Sequence, residues 1–598
     1  MNRTFHYIAE AVSEYDTEAS KSLHKAISHY DTIQPANSEL FRLTGIRNFF
    51  ATSQALSAFR QVLELPPSNE ESRSNREWGD FQTPPELAAG VCSYLAKTGV
   101  SPRIVIEPTY GAGNFILAVL KAFPTIELVY GVEKQEKYEW HLKIALLVQA
   151  LGGSRITAEI QLYSDDIFTH RFPEHVLRAH DILLIGNPPW VTSAELSAIG
   201  ARNVPAKRNL KALNGMDAIT GKSNFDIGEF VLLRLLDLFS QQHGVLAMLC
   251  KNSVIKNIME VLPRRNYGVS NIRALQIDAS REFDVAVAAS LLVMETGASD
   301  PAFTCRVASL EQPDRVSRRM GWTRNRFVSN IEAYALSYDL DGRSQLTWRQ
   351  GLKHDCARIM ELSEQNGHLV NGNGEIADIE EHWIYGLAKS SDLRTFEVSR
   401  VRKKVIVTQR ELGEDTSQLE KSAPKLWSYL VRNREHFERR KSSIYRNKPP
   451  FSIFGIGTYS FKSYKVAIAG LYKEPFFAVL LPVARRPIML DDTCYFLGFD
   501  AYLDALFAAS VLNSPSVTQF LQSIVFADAK RPFTKEVLMR IDLARAASQV
   551  SLDTFQKAWS DAGYKPRTLI RQSDFEEFKQ RLLHADSSRA HPQYDLGL

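Results

Sequence analysis

The segment ILLIGNPPWVT (residues 182–192) joins an apolar run to an amide, two prolines and a tryptophan. The apolar run has the length and composition of a buried strand. Prolines lack the N–H that a sheet ladder requires, so the strand has to end at Asn187. The pattern predicts a strand that carries an amide, a rigid corner and a flat indole ring at its carboxyl end.

The length and composition favour a soluble protein of several domains. A chain of 598 residues is too long for one hydrophobic core. It has neither the roughly 18-residue apolar run of a membrane helix nor the apolar core of a signal peptide. Five widely spaced cysteines fit neither a disulfide framework nor a zinc site, so we expect a reducing, cytoplasmic setting and no metal. The net charge of +4 is small, so any surface for nucleic acid has to be local.

Short apolar runs alternate with helical segments between about residues 80 and 300, which predicts a mainly parallel sheet wrapped by helices. The last two runs are joined by only about ten residues, too few for a crossover helix, so we expect the final strand to be antiparallel. The candidate strands are 103–108, 127–133, 159–166, 181–187, 244–250, 272–278 and 288–295.

The regions on either side of this sheet have different patterns. Residues 1–65 have apolar positions three and four apart, which predicts helices, and 66–80 are typical of a polar linker. Past residue 301 the pattern is irregular, and from about 500 it is helical again. We therefore predict an N-terminal helical region (1–75), an α/β domain (76–300), an α+β region (301–500) and a helical C-terminal region (501–598).

The predicted parallel strands end in residues suited to ligand binding, and ligands of open α/β sheets bind at the carboxyl ends of the strands. Gly111 and Gly113 allow a tight turn close to a ligand. Glu133 could accept hydrogen bonds from ribose hydroxyls, and Asp166 with Ile167 could hold an adenine ring. Each feature alone has an ordinary alternative, namely a plain turn, a solvated glutamate or a helix cap. Their occurrence at successive strand ends favours a binding site.

Three motifs together resemble the S-adenosylmethionine-dependent amino-methyltransferases of DNA. They are FQTPP (81–85), EPTYGAGNF (107–115) and NPPW (187–190). Their order is similar to the gamma arrangement of adenine-N6 methyltransferases. The resemblance covers about residues 78–296 and implies a class I methyltransferase fold, a Rossmann-like mixed sheet with an antiparallel final strand. It implies S-adenosylmethionine as cofactor, held by Phe81, Thr83, Glu107, Pro108, Gly111, Gly113, Glu133, Asp166 and Ile167.

The resemblance also implies roles for the tetrapeptide Asn187, Pro188, Pro189 and Trp190. An adenine amine is a poor nucleophile, and two hydrogen-bond acceptors can direct its lone pair at a methyl group. The Asn187 side-chain oxygen and the Pro188 carbonyl could be these acceptors. Trp190 could stack on a base flipped out of the duplex. Phe283 could cover the opposite face of the base, or be an ordinary core residue.

The C-terminal half contains a basic cluster with interleaved aromatic residues, which suits contacts with DNA phosphates, although a solvated surface is the alternative. The best local fit to a magnesium nuclease motif, Asp528 to Lys530, has no convincing upstream acid, so we expect no cleavage activity. The candidate DNA contacts in the cluster are Arg432, Arg434, Arg439, Arg440 and Lys441.

The resemblance implies a site-specific DNA adenine-N6 methyltransferase that acts on duplex DNA, with residues 76–300 as its catalytic domain and 301–500 as its target-recognition region. It would be a solitary enzyme, or the modification arm of a restriction system whose separate endonuclease would be its partner. Two alternatives stay open from the sequence. One is a methyltransferase of RNA or of protein glutamine, and the other is a catalytically inactive DNA-binding defence component.

Overall fold

The computed structural model describes residues 3–64, 81–191 and 226–587. The predicted linker at 66–80 falls outside these described residues. The chain divides into two compact units, Met1–Phe327 and Val328–Leu598. Within the described ranges, no helix is both long and apolar enough to cross a membrane. All five cysteines are buried and unpaired.

The first unit contains a ten-stranded sheet with the order β10-β9-β8-β6-β7-β5-β4-β1-β2-β3. All seven predicted strands form. β4 is buried along its whole length, as expected of a central parallel strand with an uninterrupted apolar sequence. The strands are β1 (Ile104–Glu107), β2 (Leu128–Glu133), β3 (Glu159–Ser164), β4 (Ile182–Gly186), β5 (Gly244–Lys251), β6 (Val269–Ile277), β7 (Ala289–Thr296), β8 (Thr304–Ser309), β9 (Arg318–Thr323) and β10 (Arg326–Val328).

The strand directions confirm the expected mixed α/β sheet. β1 pairs in parallel with β2 and β4, β2 with β3, and β4 with β5. β7 lies antiparallel between β5 and β6, as predicted for the final strand. The sheet continues past the boundary expected at residue 300, because β8 pairs in parallel with β6 and β9 adds an antiparallel strand. The sequence reading did not anticipate this extension.

The helices of the first unit cover the sheet and include the predicted N-terminal helical region. The rings of Phe49, Phe50, Phe59 and Trp140 form one aromatic cluster that joins this region to the helix after β2. The described helices are α1 (Arg3–Ser13), α2 (Thr17–Ile27), α3 (Ile33–Thr44), α4 (Ser53–Glu64), α5 (Pro85–Lys97), α6 (Asn114–Ala122), α7 (Glu136–Leu151), α8 (Glu174–Leu177), α9 (Ile227–Phe239), α10 (Asn252–Val261) and α11 (Ala279–Phe283).

The second unit contains two five-stranded sheets, which matches the α+β character expected there. One sheet has the order β11-β20-β17-β18-β15 and the other β13-β12-β16-β14-β19. The strands are β11 (Arg349–Gln350), β12 (Glu361–Gln365), β13 (His368–Val370), β14 (Ile384–Ala388), β15 (Glu397–Val398), β16 (Lys403–Ile406), β17 (Tyr464–Ala469), β18 (Phe477–Leu480), β19 (Met489–Leu490) and β20 (Cys494–Phe499).

The helical C-terminal region shares its core with β17, β18 and β20, so it packs as part of this unit. The apolar helix after β20 is buried on every side, which places it at the centre of that core. The described α-helices of the whole second unit are α12 (Ile331–Ala335), α13 (Ala357–Met360), α14 (Leu419–Ser422), α15 (Pro424–Arg432), α16 (Arg434–Glu438), α17 (Tyr502–Leu512), α18 (Pro515–Ile524), α19 (Lys535–Leu538), α20 (Leu543–Ser548), α21 (Leu552–Asp561) and α22 (Gln572–Ser587).

Lys465 on β17 is an unusual member of the second unit's interior. Its side chain is only 1% exposed. Its ammonium donates to the carbonyl of Lys462 at 3.1 Å and lies 5.8 Å from the ring centre of Phe496. Burial lowers the pKa of Lys465 from its ordinary 10.5 to about 7. The unfolded chain therefore binds more protons than the folded chain between these pH values.

We expect Lys465→Met to stabilise the protein at neutral pH and to lose this advantage as the pH rises. The burial penalty on the charged amine is full below about pH 7 and disappears above about 10.5, where the amine is neutral in both states. The upper limit of this burial penalty is about 5 kcal/mol. Denaturant unfolding of both proteins from pH 6.5 to 10 measures the difference. A gain that stayed constant over this range would contradict the assigned pKa.

Candidate active site at the carboxyl edge of the sheet

A cavity of about 210 Å³ opens at the carboxyl ends of β1 to β4 in the first unit. Every residue predicted for the cofactor or the catalytic set lines it, except Gly113. The structure therefore brings together residues that are more than 100 positions apart in sequence. Further residues that line the cavity, and that the sequence reading did not assign, include Gln82, Thr109, Tyr110, Asn114, Lys134, Gln135 and Phe168.

The glycine turn after β1 is fastened to the segment that precedes α5. Gly111 has a φ of +49°, and a Cβ there would lie 2.4 Å from the Gln82 side-chain oxygen. That oxygen accepts from the backbone N–H of Ala112 at 2.7 Å. The Asn114 amide donates to the Thr83 carbonyl at 2.8 Å. Gln82 could have been found from the sequence, because it lies between two motif residues.

Gly113 has a packing role in this structure. It precedes α6 with a φ of +83°, and a Cβ there would lie 2.5 Å from the Leu142 side chain on α7. A side chain at this position would therefore separate α6 from α7. Gly113 is not among the residues that line the cavity, so its contact with the cofactor stays a prediction.

Two acidic side chains approach each other in the cavity. Glu107 is 2% exposed, and burial, followed by the charge of Glu133, raises its pKa well above the ordinary range. Its Oε2 atom has no hydrogen-bond partner within the described part of the chain. Glu133 accepts from the N–H groups of Gly111 at 3.0 Å and Gln135 at 2.9 Å. The Glu133 carboxylate also lines the cavity.

The carboxylate predicted to hold adenine already has protein partners. Asp166 accepts from the Lys134 ammonium at 2.6 Å and from the Phe168 N–H at 3.0 Å. The neighbouring Asp165 accepts from the His170 ring at 2.8 Å, and this hydrogen bond lowers its pKa. Lys134 follows β2, and nothing in its local sequence indicated the pairing.

The amide of Asn187 is held in one orientation. Its nitrogen donates to the Phe81 carbonyl at 3.1 Å. Its Oδ1 atom is buried and has no hydrogen-bond partner among the described residues. A buried acceptor of this kind costs about 1–3 kcal/mol when it is left unsatisfied. The side-chain oxygen is therefore oriented to accept a hydrogen bond from a bound group.

Trp190 belongs to an aromatic cluster with Phe81 and Phe283. The Trp190 and Phe283 ring centres are 5.0 Å apart with an angle of 63°, and those of Trp190 and Phe81 are 6.1 Å apart. A base stacked between two parallel rings would need about 7 Å, twice the ~3.5 Å contact distance of carbon atoms. The Trp190 and Phe283 rings are therefore too close and too steeply inclined to hold a base between them in this arrangement.

The chain after Trp190 is anchored at two points. The Lys251 ammonium donates to the Trp190 carbonyl at 3.2 Å and forms an ion pair with Asp226. Asp226 caps α9 by accepting from the Gly228 N–H at 3.0 Å, and burial raises its pKa. The Ile227 N–H donates to the Val191 carbonyl at 2.9 Å. These contacts connect the tetrapeptide to β5 and α9.

The basic cluster of the second unit is only partly available to DNA. Arg432 and Arg439 are exposed and pair with Glu375 and Glu435. Arg434 and Lys441 are also exposed. Arg440 differs from these four residues because it is half-buried, and its contact with DNA stays a prediction.

The Arg440 guanidinium is half-buried and donates to the carbonyls of Phe437, His354 and Ser452. It also stacks on Tyr445, with 3.7 Å to the ring centre. Burial lowers its pKa. These contacts hold the guanidinium against the second unit.

The chain is similar to known restriction–modification proteins. It is 36% identical over 473 residues to the Type II methyltransferase M.NspV of Nostoc sp. (strain ATCC 29411 / PCC 7524), covering 79% of this chain and 97% of that relative. The chain belongs to the DNA methyltransferases of restriction–modification systems. This confirms the family expected from the three motifs. No protein-family model matches the chain.

The chain is also similar to solved structures, and the first of the two below supports the fold. The Type IIL restriction-modification enzyme MmeI, solved in complex with DNA, aligns with a TM-score of 0.52 and 12% identity. That alignment covers 98% of this chain and 92% of MmeI. The Type IIG restriction endonuclease BpuSI aligns with a TM-score of 0.38 and 14% identity, over 97% of this chain and 77% of that one. The class I methyltransferase fold expected from the motifs is confirmed.

We expect Lys251→Met to destabilise the protein and to lower methyl transfer, because it leaves the buried Asp226 carboxylate without its cation. Breaking one partner of a buried pair costs about 3–5 kcal/mol. The double variant Lys251→Met/Asp226→Asn should regain much of this stability but not the activity, since the Trp190 carbonyl has still lost its donor. Denaturant unfolding and initial methylation rates measure the two effects. Strictly additive stability losses would contradict a direct interaction.

Proposed function

We propose that this methyltransferase transfers a methyl group to the N6 amine of an adenine flipped out of duplex DNA at a specific site. The single observation that carries the proposal is the Asn187 amide, whose nitrogen is fixed by the Phe81 carbonyl and whose buried oxygen is oriented to accept. An exocyclic amine has two N–H hydrogens and needs such acceptors. The order of the three motifs supports adenine as the target base.

The acceptors act on the charge that develops during the reaction. As the amine attacks, its nitrogen becomes more positive and its N–H bonds become more polar. An acceptor that is already fixed then binds more strongly in the transition state than in the ground state. Asn187 provides one acceptor and the Pro188 carbonyl the other. The proton can leave after transfer, so this mechanism assigns no strong general base to the cavity.

The cavity fits S-adenosylmethionine, which supplies the methyl group when it is bound. Glu107, Thr109 and Tyr110 line the cavity, and each has a buried side-chain oxygen without a hydrogen-bond partner among the described residues. Glu133 offers carboxylate oxygens to ribose hydroxyls, and Ile167 offers an apolar surface to a purine ring.

The aromatic residues of the cavity suit a flipped base. Trp190 is 7% exposed and lines the cavity. Its indole N–H donates to the Leu249 carbonyl at 3.4 Å, which fixes the plane of the ring. Base–aromatic stacking contributes about 1–3 kcal/mol, comparable to the few kcal/mol lost when a base leaves the duplex.

The identity of the methylated base tests the proposal directly. We expect DNA from cells that express this chain to contain N6-methyladenine at one short sequence motif, detected by sequencing of modified bases. Cells that express Asn187→Ala provide the control. N4-methylcytosine in place of N6-methyladenine would contradict the target base. In a labelled-methyl assay with purified protein, incorporation only into RNA or protein would contradict DNA as the substrate.

We expect Asn187→Ala to lower kcat at least about 100-fold, the cost of removing one preorganised hydrogen-bonding group that acts in the transition state. Binding of S-adenosylmethionine, measured by calorimetry, should stay within about threefold. Asn187→Asp keeps an acceptor oxygen and should retain more activity than the alanine variant. Near-normal turnover of Asn187→Ala would contradict the assigned role.

A further inference from the structure

Three arginines lie side by side on one face of the sheet extension in the first unit. Arg273 on β6 is in register with Arg306 on β8, and Arg306 is opposite Arg319 on β9. Residues paired in this way project from the same face of a sheet. Adjacent strands are about 4.8 Å apart, so this arginine row extends over about 10 Å. Arg319 is exposed, and the other two are half-buried.

The inner two arginines, Arg273 and Arg306, each donate a hydrogen bond to a side chain without charge. Arg273 donates to the Tyr94 hydroxyl at 2.8 Å, and Arg306 donates to the Asn271 side-chain oxygen at 2.8 Å. Both partners are neutral. The nearest carboxylate in this network, Glu295, accepts from the Asn271 amide at 2.7 Å. Like charges directly opposite each other destabilise a sheet, and a bound anion would offset that cost.

Three further exposed arginines lie close to β9 in the sequence. Arg315 precedes β9, and Arg324 and Arg326 flank the turn to β10, with all three exposed. A small anion would neutralise one or two guanidiniums, whereas a polyanion can meet a whole row. Each strand of duplex DNA carries a negative charge about every 3.4 Å of helix axis. Arginine is also the side chain best suited to bidentate phosphate contacts.

We propose that the arginine row binds backbone phosphates of duplex DNA beside the target site. This inference rests on the proposed action on duplex DNA and adds a contact surface that lies on the catalytic unit itself. The contacts carry no base specificity, so the row raises affinity and sets register while other residues read the sequence. The arginine row therefore also binds duplex DNA that lacks the target sequence.

The salt dependence of binding to a labelled duplex of random sequence tests the row, because phosphate contacts dominate non-specific binding. We expect Arg306→Gln/Arg319→Gln to bind about tenfold more weakly at low salt. The slope of log K against log salt should fall by about 2, since each phosphate contact contributes about 0.9. The variant Arg306→Lys/Arg319→Lys keeps the charge and should restore most of the slope.

The matched control is Arg155→Gln/Arg178→Gln, which removes the same charge from exposed positions elsewhere in this unit. We expect its slope to match that of the wild-type protein. A wild-type slope for Arg306→Gln/Arg319→Gln would overturn the proposal. An equal decrease in slope for the control variant would overturn it as well. Wild-type protein without any salt-dependent duplex binding would instead contradict the proposed action on DNA.

A second measurement needs no variant. Phenylglyoxal modifies accessible arginines, and mass spectrometry reports the extent at each position. We expect the duplex to slow modification of Arg306 and Arg319 in the wild-type protein, and to leave Arg155 and Arg178 unchanged. Equal modification rates of Arg306 and Arg319 with and without duplex would overturn the proposal even if the variants failed to fold.

Discussion

The site depends on one hydrogen bond, from the Asn187 amide nitrogen to the Phe81 carbonyl. A side-chain amide has a donor end and an acceptor end, so fixing the donor also fixes the direction of the oxygen. The Phe81 segment is itself fastened to the glycine turn through Gln82 and Asn114 with Thr83. The three motifs therefore form one connected frame, in which a shift of any motif would misdirect the acceptor. Such a frame provides positioning before a substrate arrives.

The central sheet was predictable because its strands are buried on both faces and have uninterrupted apolar sequences. The short crossover after β6 likewise indicated an antiparallel β7. The sheet extension and the two sheets of the second unit were not predictable in this way. Their strands are short, and pairs such as Glu397 with Val479 are far apart in sequence, so no local pattern links them.

The cavity lining was largely anticipated, since the motif residues follow strands that end at the same edge. The contacts that hold these lining residues in place were not anticipated. Lys251 and Lys134 act through tertiary contacts with the Trp190 carbonyl and Asp166, which no spacing rule connects. The basic cluster shows the same limit of sequence reading. Arg440 has the same sequence context as its exposed neighbours, and only the fold shows that its guanidinium is bonded to interior carbonyls.

The N-terminal helices protect the outermost strand of the catalytic sheet. The Gly45 carbonyl accepts from the Ile160 N–H at 2.8 Å, and Ile46 pairs with Ile160 on β3. The buried Lys143 ammonium, on α7, donates to the Phe49 carbonyl at 2.6 Å. A catalytic fragment that lacked these helices would expose both a free strand edge and an aromatic cluster. Such surfaces template self-association, so in this enzyme the safeguard against aggregation lies outside the segment that carries the catalytic motifs.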